Sequence, residues 1–159
     1  MATLDEIYRK FGEVSEAAQL LEAQLGNLLL MQKCIDAGLL EHANPNKATV
    51  IYDRINKQTL GQLIQSLGSI GYTLEELDQL LSDALASRNR LTHSFYLQHN
   101  FRRNSDDGRD VMHRDLEVIH EHLLEAYKAV LLLSGVDWKK LVAELGDIPL
   151  PTGHLLIRT

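Results

Sequence analysis

The chain has 159 residues, which is enough for one domain with a sizeable core and too few for two comfortable ones. Its 45% hydrophobic and 24% charged residues are typical of globular domains, and its net charge of −6 excludes a surface coated with positive charge for bulk nucleic-acid binding. The single cysteine, Cys34, excludes an intrachain disulfide and fits a reducing compartment. No apolar run approaches the roughly 20 residues that cross a bilayer, and the first residues do not resemble a signal peptide, so we expect a cytoplasmic protein.

The first half of the chain is predicted to be helical. Apolar residues recur at spacings of three and four over residues 3–37, which is the pattern of an amphipathic helix. Thr59 suits the N-cap of a later helix. The predicted elements, in order, are a helix over 3–37 that stops at Gly38, a loop over 42–49, a short helix over 48–57 and a helix over 59–68 that ends at Gly68.

The second half is predicted to contain two long helices. Thr73 and Glu76 have the spacing of a capping box, which indicates a helix start. The predicted elements are a helix from 73 to about 98, a polar connection over 99–110, a helix over 109–134 closed by Gly135, a short helix over 138–145 and an extended tail over 147–159. We therefore predict one all-α domain over residues 1–159, a bundle of about four main helices plus short ones, mostly antiparallel.

Arg88 interrupts the apolar stripe of the helix predicted over 73–98. The apolar positions there are 74, 77, 81, 84, 91 and 95, and Arg88 fills the gap in that spacing. Burying an unpaired guanidinium is costly, so the side chain must either reach solvent or meet an anion. That anion is a phosphate, which the planar arginine fork suits, or a carboxylate on a neighbouring helix.

The stretch RNRLTH at residues 88–93, followed by SFY, resembles the signature of the HEPN superfamily. In that family an arginine, a polar residue that is often Asn, and a histidine a few residues later lie in an all-α domain. Here the matching residues are Arg88, Asn89 and His93, with four residues between the arginine and the histidine. The resemblance covers the helix 73–98 firmly, and the rest of the chain only by length and helix content.

The resemblance implies a metal-independent endoribonuclease without a cofactor, acting as a homodimer whose two motifs face a shared cleft. His93 is expected to move a proton, Arg88 to stabilise charge on the phosphate, and Asn89 to orient the imidazole or the substrate. A toxin or defence effector with a nucleotidyltransferase-type antitoxin is the implied setting. The candidate substrate-binding residues around the motif are Arg90, Thr92, Tyr96, Arg102 and Arg103.

Two features depart from a simple transfer of the family's properties. On a straight helix Arg88 and His93 point about 140° apart, so one regular helix does not direct both at one phosphate. Either the helix is distorted, the arginine reaches round, or the site is composite across a dimer. Several family toxins carry a modified tyrosine two residues after the histidine, where this chain has Phe95, with Tyr96 next.

A local basic cluster surrounds the motif. Six of the nine arginines lie between residues 88 and 114, where three aspartates oppose them, so this window carries +3 in a chain of −6. Such a cluster suits a phosphate backbone, and the rings of His99 and Phe101 could stack on bases. The alternative is a solvated loop with paired charges.

A metal site is the competing chemical hypothesis. Glu117 and His120 form an E-x-x-H pair, with His113 one turn earlier. Di-iron bundles use two such pairs and two further glutamates, and we find no second pair. A solvated polar face is therefore the preferred interpretation, and no metal is expected.

Two other functional classes stay open beside the ribonuclease. One is a HEPN-like dimer without turnover that binds a nucleotidyltransferase partner or a nucleic acid. The other is a helical interaction protein with no nucleic-acid role, which predicts that Arg88 pairs with a carboxylate of its own chain.

Overall fold

The computed structural model describes residues 1–71 and 75–135, and within them every regular element is helical. The elements are α1 (Leu4–Asp36), α2 (Pro45–Asn56), α3 (Leu60–Ser69), α4 (Glu75–His93), α5 (Phe95–His99), a 3₁₀ turn (Arg102–Asn104) and α6 (Asp106–Leu133). The prediction of an all-α bundle is confirmed. The predicted cap at Thr73, the short helix over 138–145 and the extended tail over 147–159 lie outside the described residues.

Side-chain caps and glycines set the helix ends. Thr59 accepts a hydrogen bond from the backbone N–H of Gln62, whose side chain accepts one from the Thr59 N–H in return, so the predicted cap of α3 is confirmed. Gly38, just beyond α1, has a φ of 68°, and Gly135, just beyond α6, has a φ of 78°. Both occupy the left-handed conformation that ends a helix and that residues with a Cβ adopt at a cost.

Two helices begin earlier than predicted. The predicted loop over 42–49 extends too far, because α2 begins at Pro45, where the missing N–H of proline is harmless and Asn44 caps the first turn. The polar connection over 99–110 also extends too far. Ser105 accepts a hydrogen bond from the N–H of Gly108, so α6 starts at Asp106.

The helix predicted from 73 to about 98 is broken near the motif. α4 is regular up to His93, Ser94 leaves helical geometry with φ −138° and ψ −6°, and α5 begins at Phe95. The Ser94 hydroxyl donates to the carbonyl of Arg90 at 3.2 Å, which is the back-bonding that bends helices. Phe95 and His99 of α5 are both buried against the bundle. The break therefore lets the chain turn a second short helix onto the core.

The three longest helices, α1, α4 and α6, form the body of the bundle. Contacts between Ala2 and Asp110, and between Gln24 and Ser134, show that α1 and α6 run parallel. α4 runs antiparallel to both. The α1–α6 pair is therefore an exception to the mostly antiparallel neighbours that were predicted, because α2, α3, α4 and α5 intervene along the chain before α6 returns beside α1.

The core follows helical spacing on each long helix. α1 buries Ile7, Val14, Ala17, Ala18, Leu21, Leu25, Leu28 and Leu29, and α6 buries Met112, Leu116, Ile119, Leu123, Ala126, Val130 and Leu131 among its apolar residues. These stripes face each other and α4, which removes most of the large apolar side chains from water. Among the helices that the structure describes, none combines the length and the apolar character needed to span a bilayer.

Candidate functional site

The residues of the RNRLTH stretch lie at the C-terminal end of α4 and do not share one environment. Asn89, Thr92 and His93 are exposed, whereas Arg88 is half-buried. Ser87, rather than Arg88, occupies the gap in the buried stripe, with 7% of its surface exposed. The position assigned to Arg88 in the sequence was therefore one residue off, and the arginine lies at the edge of the α4–α1 contact.

Arg88 is paired with a carboxylate of its own chain. Its Nε donates to Glu22 Oε1 at 3.0 Å, and its Nη2 lies 2.9 Å from the same oxygen. The side chains of Arg88 and Glu22 are 24% and 29% exposed, so the pair lies at the boundary between solvent and core. The arginine meets an anion, as its position predicted, and the anion in this structure is Glu22 on α1.

Asn89 contacts the arginine of the motif. Arg88 Nη1 donates to Asn89 Oδ1 at 3.3 Å. The structure therefore couples Asn89 to the guanidinium, and the expected orienting contact between Asn89 and His93 is not among the hydrogen bonds of the described residues. The hydroxyl of Thr92 donates to the carbonyl of Arg88 at 3.0 Å, which satisfies it within its own helix.

His93 is the last residue of α4 and its ring faces solvent. Because α4 stays regular from Arg88 to His93, the two side chains project about 140° apart. The structure brings Arg88 together with Glu22, not with His93. A distortion of the helix between the two motif residues is therefore excluded as the way to join them in this conformation.

Protein groups bind the Nε and both terminal nitrogens of Arg90. Its Nη1 and Nη2 donate to the two carboxylate oxygens of Asp115 at 2.7 and 2.5 Å, and its Nε donates to Gln98 at 2.7 Å. This is a bidentate charge-assisted pair between α4 and α6, the strongest geometry for an arginine. Asp115 therefore occupies the fork that a phosphate would need, while the Arg90 side chain stays 37% exposed.

Asp115 also receives a hydrogen bond from a buried histidine. His99 Nε2 lies 2.6 Å from Asp115 Oδ2, and Arg102 Nη1 lies 3.1 Å from His99 Nδ1. Since arginine can only donate, Nδ1 accepts and the proton that binds Asp115 is on Nε2. Burial raises the pKa of Asp115, but the hydrogen bonds from Arg90 and His99 and the charge of Arg90 outweigh it and hold that pKa below its ordinary value.

This polar cluster was missed by the sequence analysis. One carboxylate on α6 connects α4 through Arg90, α5 through His99 and, through that histidine, the 3₁₀ turn through Arg102. His99 is 3% exposed, so the hypothesis that its ring stacks on a base is wrong. The spacing His99–Asp115 carries no local signal, because the two residues meet only after the chain reverses direction between α5 and α6.

An exposed aromatic and basic surface lies beside α5. Phe101 is 78% exposed, and Arg102 and Arg103 are exposed in the following turn. The Tyr96 ring packs on Phe11 with 5.1 Å between centroids and keeps 40% of its surface in solvent. We refer to Tyr8, Tyr96, Phe101, Arg102 and Arg103 as the aromatic–arginine surface.

Tyr96 is the least exposed aromatic ring of this surface. Burial raises the pKa of Tyr96, the neighbouring Tyr8 raises it further, and Arg103 lowers it in part. Tyr8 and Arg103 therefore lie within electrostatic range of the Tyr96 hydroxyl. Tyr8 was not singled out from the sequence, because it is far from the motif along the chain and only the packing of α1 on α5 brings it near.

The other arginines of the basic window divide into paired and exposed groups. Arg109 pairs with Asp106 and donates to the carbonyl of Ala2 at 2.8 Å. With Arg88 and Arg90, this makes three arginines of the window that are bound to carboxylates of the chain. Arg102, Arg103 and Arg114 are exposed. The alternative of paired charges therefore describes half of the cluster, and the other three arginines are exposed to solvent.

The E-x-x-H residues do not assemble as a metal site. His113 Nδ1 lies 3.6 Å from Glu117 Oε1, whereas His120 is buried and its Nδ1 lies 3.0 Å from Lys10 Nζ. The interpretation as a solvated face is therefore wrong for His120. Across residues 1–71 and 75–135, no group of three or more His, Cys, Asp or Glu side chains is arranged to hold a metal ion.

Two further polar features were not predicted. Ser87 Oγ lies 2.8 Å from His122 Nδ1 across the α4–α6 contact, with Ser87 buried and His122 half-buried. A shallow pocket of about 400 Å³ lies where the starts of α1 and α6 meet. Its lining residues are Met1, Ala2, Glu6, Asp110, His113 and Arg114. The pocket does not include any residue of the 88–93 motif.

Comparison of the chain with family models, with curated proteins and with solved structures finds no match. The HEPN assignment therefore stays a prediction that rests on residues 88–93 and on the helical fold.

Proposed function

We propose that this chain is a HEPN-type, metal-independent endoribonuclease of the cytoplasm that acts as a homodimer, in the role of a toxin or defence effector. The observation that carries the proposal is the exposed His93 at the end of α4, with Arg88 five residues earlier and the aromatic–arginine surface on the adjoining α5 and 3₁₀ turn. A solvent-facing histidine at a helix break is open to a substrate, and the nearby arginines suit a phosphate backbone.

The chemistry assigned to these residues is transesterification of RNA. His93 takes the proton of a ribose 2′-OH or gives one to the departing 5′-oxygen, and Arg88 stabilises the charge that develops on the phosphate. Neither step requires a metal. Tyr96, Arg102 and Arg103 then contact the RNA on either side of the cleaved bond, the tyrosine by stacking and the arginines through phosphates. Arg90 and Thr92 act indirectly, through the shape of the end of α4.

A composite site follows from the direction of the two side chains. α4 is regular between Arg88 and His93, and Arg88 is drawn towards α1 by Glu22. Both facts work against one chain placing the two groups on the same phosphate. The proposed dimer supplies Arg88 from one chain and His93 from the other, with two such sites related by the twofold axis.

A second candidate function is a helical binding module without turnover. It is favoured by the Arg88–Glu22 pair, since a carboxylate of the same chain partnering Arg88 is what an interaction protein without a nucleic-acid role predicts. The Arg90–Asp115 pair supports the same interpretation. Its partner is a nucleotidyltransferase-type antitoxin or a nucleic acid, and it predicts a folded protein that cleaves no RNA.

The test is cleavage of a mixed RNA pool by the purified protein in EDTA. We expect the wild type to cleave, and His93→Ala and Arg88→Ala to lose cleavage while remaining folded dimers. The matched controls are His42→Ala, an exposed histidine, and Arg9→Ala, an arginine in an ion pair with Glu13; both are expected to keep full activity. A folded wild-type dimer that leaves all RNA intact contradicts the enzyme and supports the binding module.

A further inference from the structure

Glu22 lies 66 residues before Arg88 in the chain and is the partner that determines where the guanidinium points. Glu22 Oε1 accepts from Arg88 Nε at 3.0 Å and lies 2.9 Å from Arg88 Nη2. Both contacts are on one edge of the planar group. Each side chain keeps about a quarter of its surface in solvent, at 24% and 29%, so the pair is accessible from outside the protein.

The donors of Arg88 are only partly used. A guanidinium has five N–H groups, one on Nε and two on each terminal nitrogen. Glu22 takes the Nε–H and one N–H of Nη2, and Asn89 Oδ1 takes one N–H of Nη1 at 3.3 Å. One N–H on each terminal nitrogen is therefore left over. The one on Nη2 points along the outer edge, the edge from which a guanidinium binds a phosphate oxygen.

We propose that Glu22 is a positioning residue for Arg88: it holds the inner edge of the guanidinium and leaves the outer edge for a phosphate of the substrate. This inference rests on the proposed ribonuclease function, because it assigns a role within that site. An arginine that is already ordered loses less conformational freedom when the phosphate arrives, and it meets the phosphate in one orientation.

An alternative role for Glu22 predicts the opposite effect of its removal on binding and rate. If the carboxylate competes with the phosphate for Arg88, its removal strengthens binding and raises the rate. If the pair is only structural, its removal changes neither the binding affinity nor the cleavage rate. Its loss would also cost little stability, because partly exposed ion pairs of this kind contribute little. Positioning instead predicts a lower kcat, by roughly 10- to 100-fold, since small misplacements of a charged group reduce the rate of the chemical step by such factors.

The variants are Glu22→Ala, which removes the acceptor, and Glu22→Gln, which keeps an amide oxygen that can accept from Nε. Glu13→Ala is the matched control, because Glu13 is on the same helix, is 21% exposed and pairs with Arg9. We expect Glu22→Ala to lower kcat with little change in KM, Glu22→Gln to restore much of the loss, and Glu13→Ala to match the wild type. Thermal unfolding of all three verifies that each is folded.

A binding experiment separates this inference from the proposed function. The probe is a short single-stranded 2′-O-methyl RNA, which lacks the 2′-OH nucleophile, and the readout is the NMR signal of the Arg88 Nε–H. We expect this proton to be protected from exchange in the free protein and at saturation, because Glu22 keeps its hold while the outer edge binds. Arg88→Lys is expected to bind the probe roughly tenfold more weakly, since lysine lacks the fork.

The outcomes distinguish the two hypotheses. Loss of Nε–H protection at saturation, tighter binding by Glu22→Ala, or no binding of the probe overturns the positioning role. Wild-type protein that cleaves RNA while Glu22→Ala cleaves it equally well also overturns it, and leaves the proposed function standing. Protein that cleaves no RNA but binds the probe through Arg88 with the Nε–H protected removes the proposed function and leaves Glu22 as the residue that orients a phosphate-binding arginine.

Discussion

Replacing Asp115 by asparagine is expected to destabilise the protein more than any other loss of a single charge on α6. The carboxylate accepts from Arg90 at 2.7 and 2.5 Å and from His99 at 2.6 Å, and its side chain is 16% exposed. Asparagine keeps one oxygen but places an NH₂ group where a second acceptor stood. That NH₂ group then faces an N–H of Arg90 or His99, and this N–H loses its acceptor.

The loss in free energy of unfolding depends on how many of the three hydrogen bonds to residue 115 asparagine keeps. Hydrogen bonds to charged groups each contribute about 1.5–3 kcal/mol to stability, and the partial exposure of Arg90 reduces its share. With one of the three contacts kept, we expect Asp115→Asn to lower the free energy of unfolding by about 2–3 kcal/mol. The matched control is Glu125→Gln, which removes an exposed carboxylate of the same helix that pairs with Lys128, and its effect is expected to stay within about 0.5 kcal/mol.

The same variant has a characteristic pH dependence. The pKa of folded Asp115 lies below its ordinary value of 3.8, so its contribution is fully present above that value and is lost as the pH falls through the lower, folded-state pKa. In urea unfolding between pH 5 and pH 2, the gap between wild type and Asp115→Asn should therefore be constant at first and then close below about pH 4. A gap that is no larger than that of Glu125→Gln, or that persists unchanged at pH 2, would refute the reasoning.

Other substitutions test the packing around this cluster. A Cβ built on Gly108 would overlap the Arg102 carbonyl oxygen, a clash that forces the backbone to move, so Gly108→Ala should cost about 1–3 kcal/mol or more in denaturant unfolding. At Gly12, where nothing lies within 4 Å, the same change should instead stabilise α1 by up to about 1 kcal/mol. Equal effects at the two glycines would contradict the contact. Phe95→Ala should cost about 3–5 kcal/mol because Phe95 is 1% exposed, whereas Phe101→Ala, at 78% exposed, should stay within about 0.5 kcal/mol; similar losses for both would show that α5 is not anchored by Phe95.

Local patterns in the sequence predicted most of the helices and few of the contacts at the site. Spacing of three and four, the Thr59 cap and the stop at Gly38 depend on residues within one or two turns, and they recovered α1 and α3. The break at Ser94 is also local, but a serine within a helix costs too little free energy to predict a break. The burial of Phe95, which depends on tertiary packing, accompanies the break in the structure.

The partners of the arginines could not be read from the chain in the same way. Arg88 meets a carboxylate 66 residues away and Arg90 meets one 25 residues away. The apolar stripe indicated that Arg88 needs an anion, yet an acidic chain with 22 Asp and Glu offers many, and no local rule selects Glu22. Only the antiparallel packing of α4 on α1 does so. The chemistry of the arginine was therefore predictable, and the identity of its partner was not.

Mixing inactive subunits tests whether the proposed site is shared between two chains. Arg88→Ala retains His93, and His93→Ala retains Arg88. If each site takes one group from each chain, a mixed dimer contains one complete site and one that lacks both groups. Random pairing makes half of the dimers mixed, so coexpression should restore about a quarter of wild-type activity.

A site built within one chain gives a different result, because no subunit of the mixture then carries both groups. The two variants purified separately serve as controls, since each should be inactive and each should be a dimer by light scattering. Activity in the mixture at the level of the separate variants would exclude the composite site. Cleavage by the wild type would then require Arg88 to leave Glu22 and turn about 140° around α4 to reach the phosphate beside His93. That movement breaks the 2.9 Å ion pair.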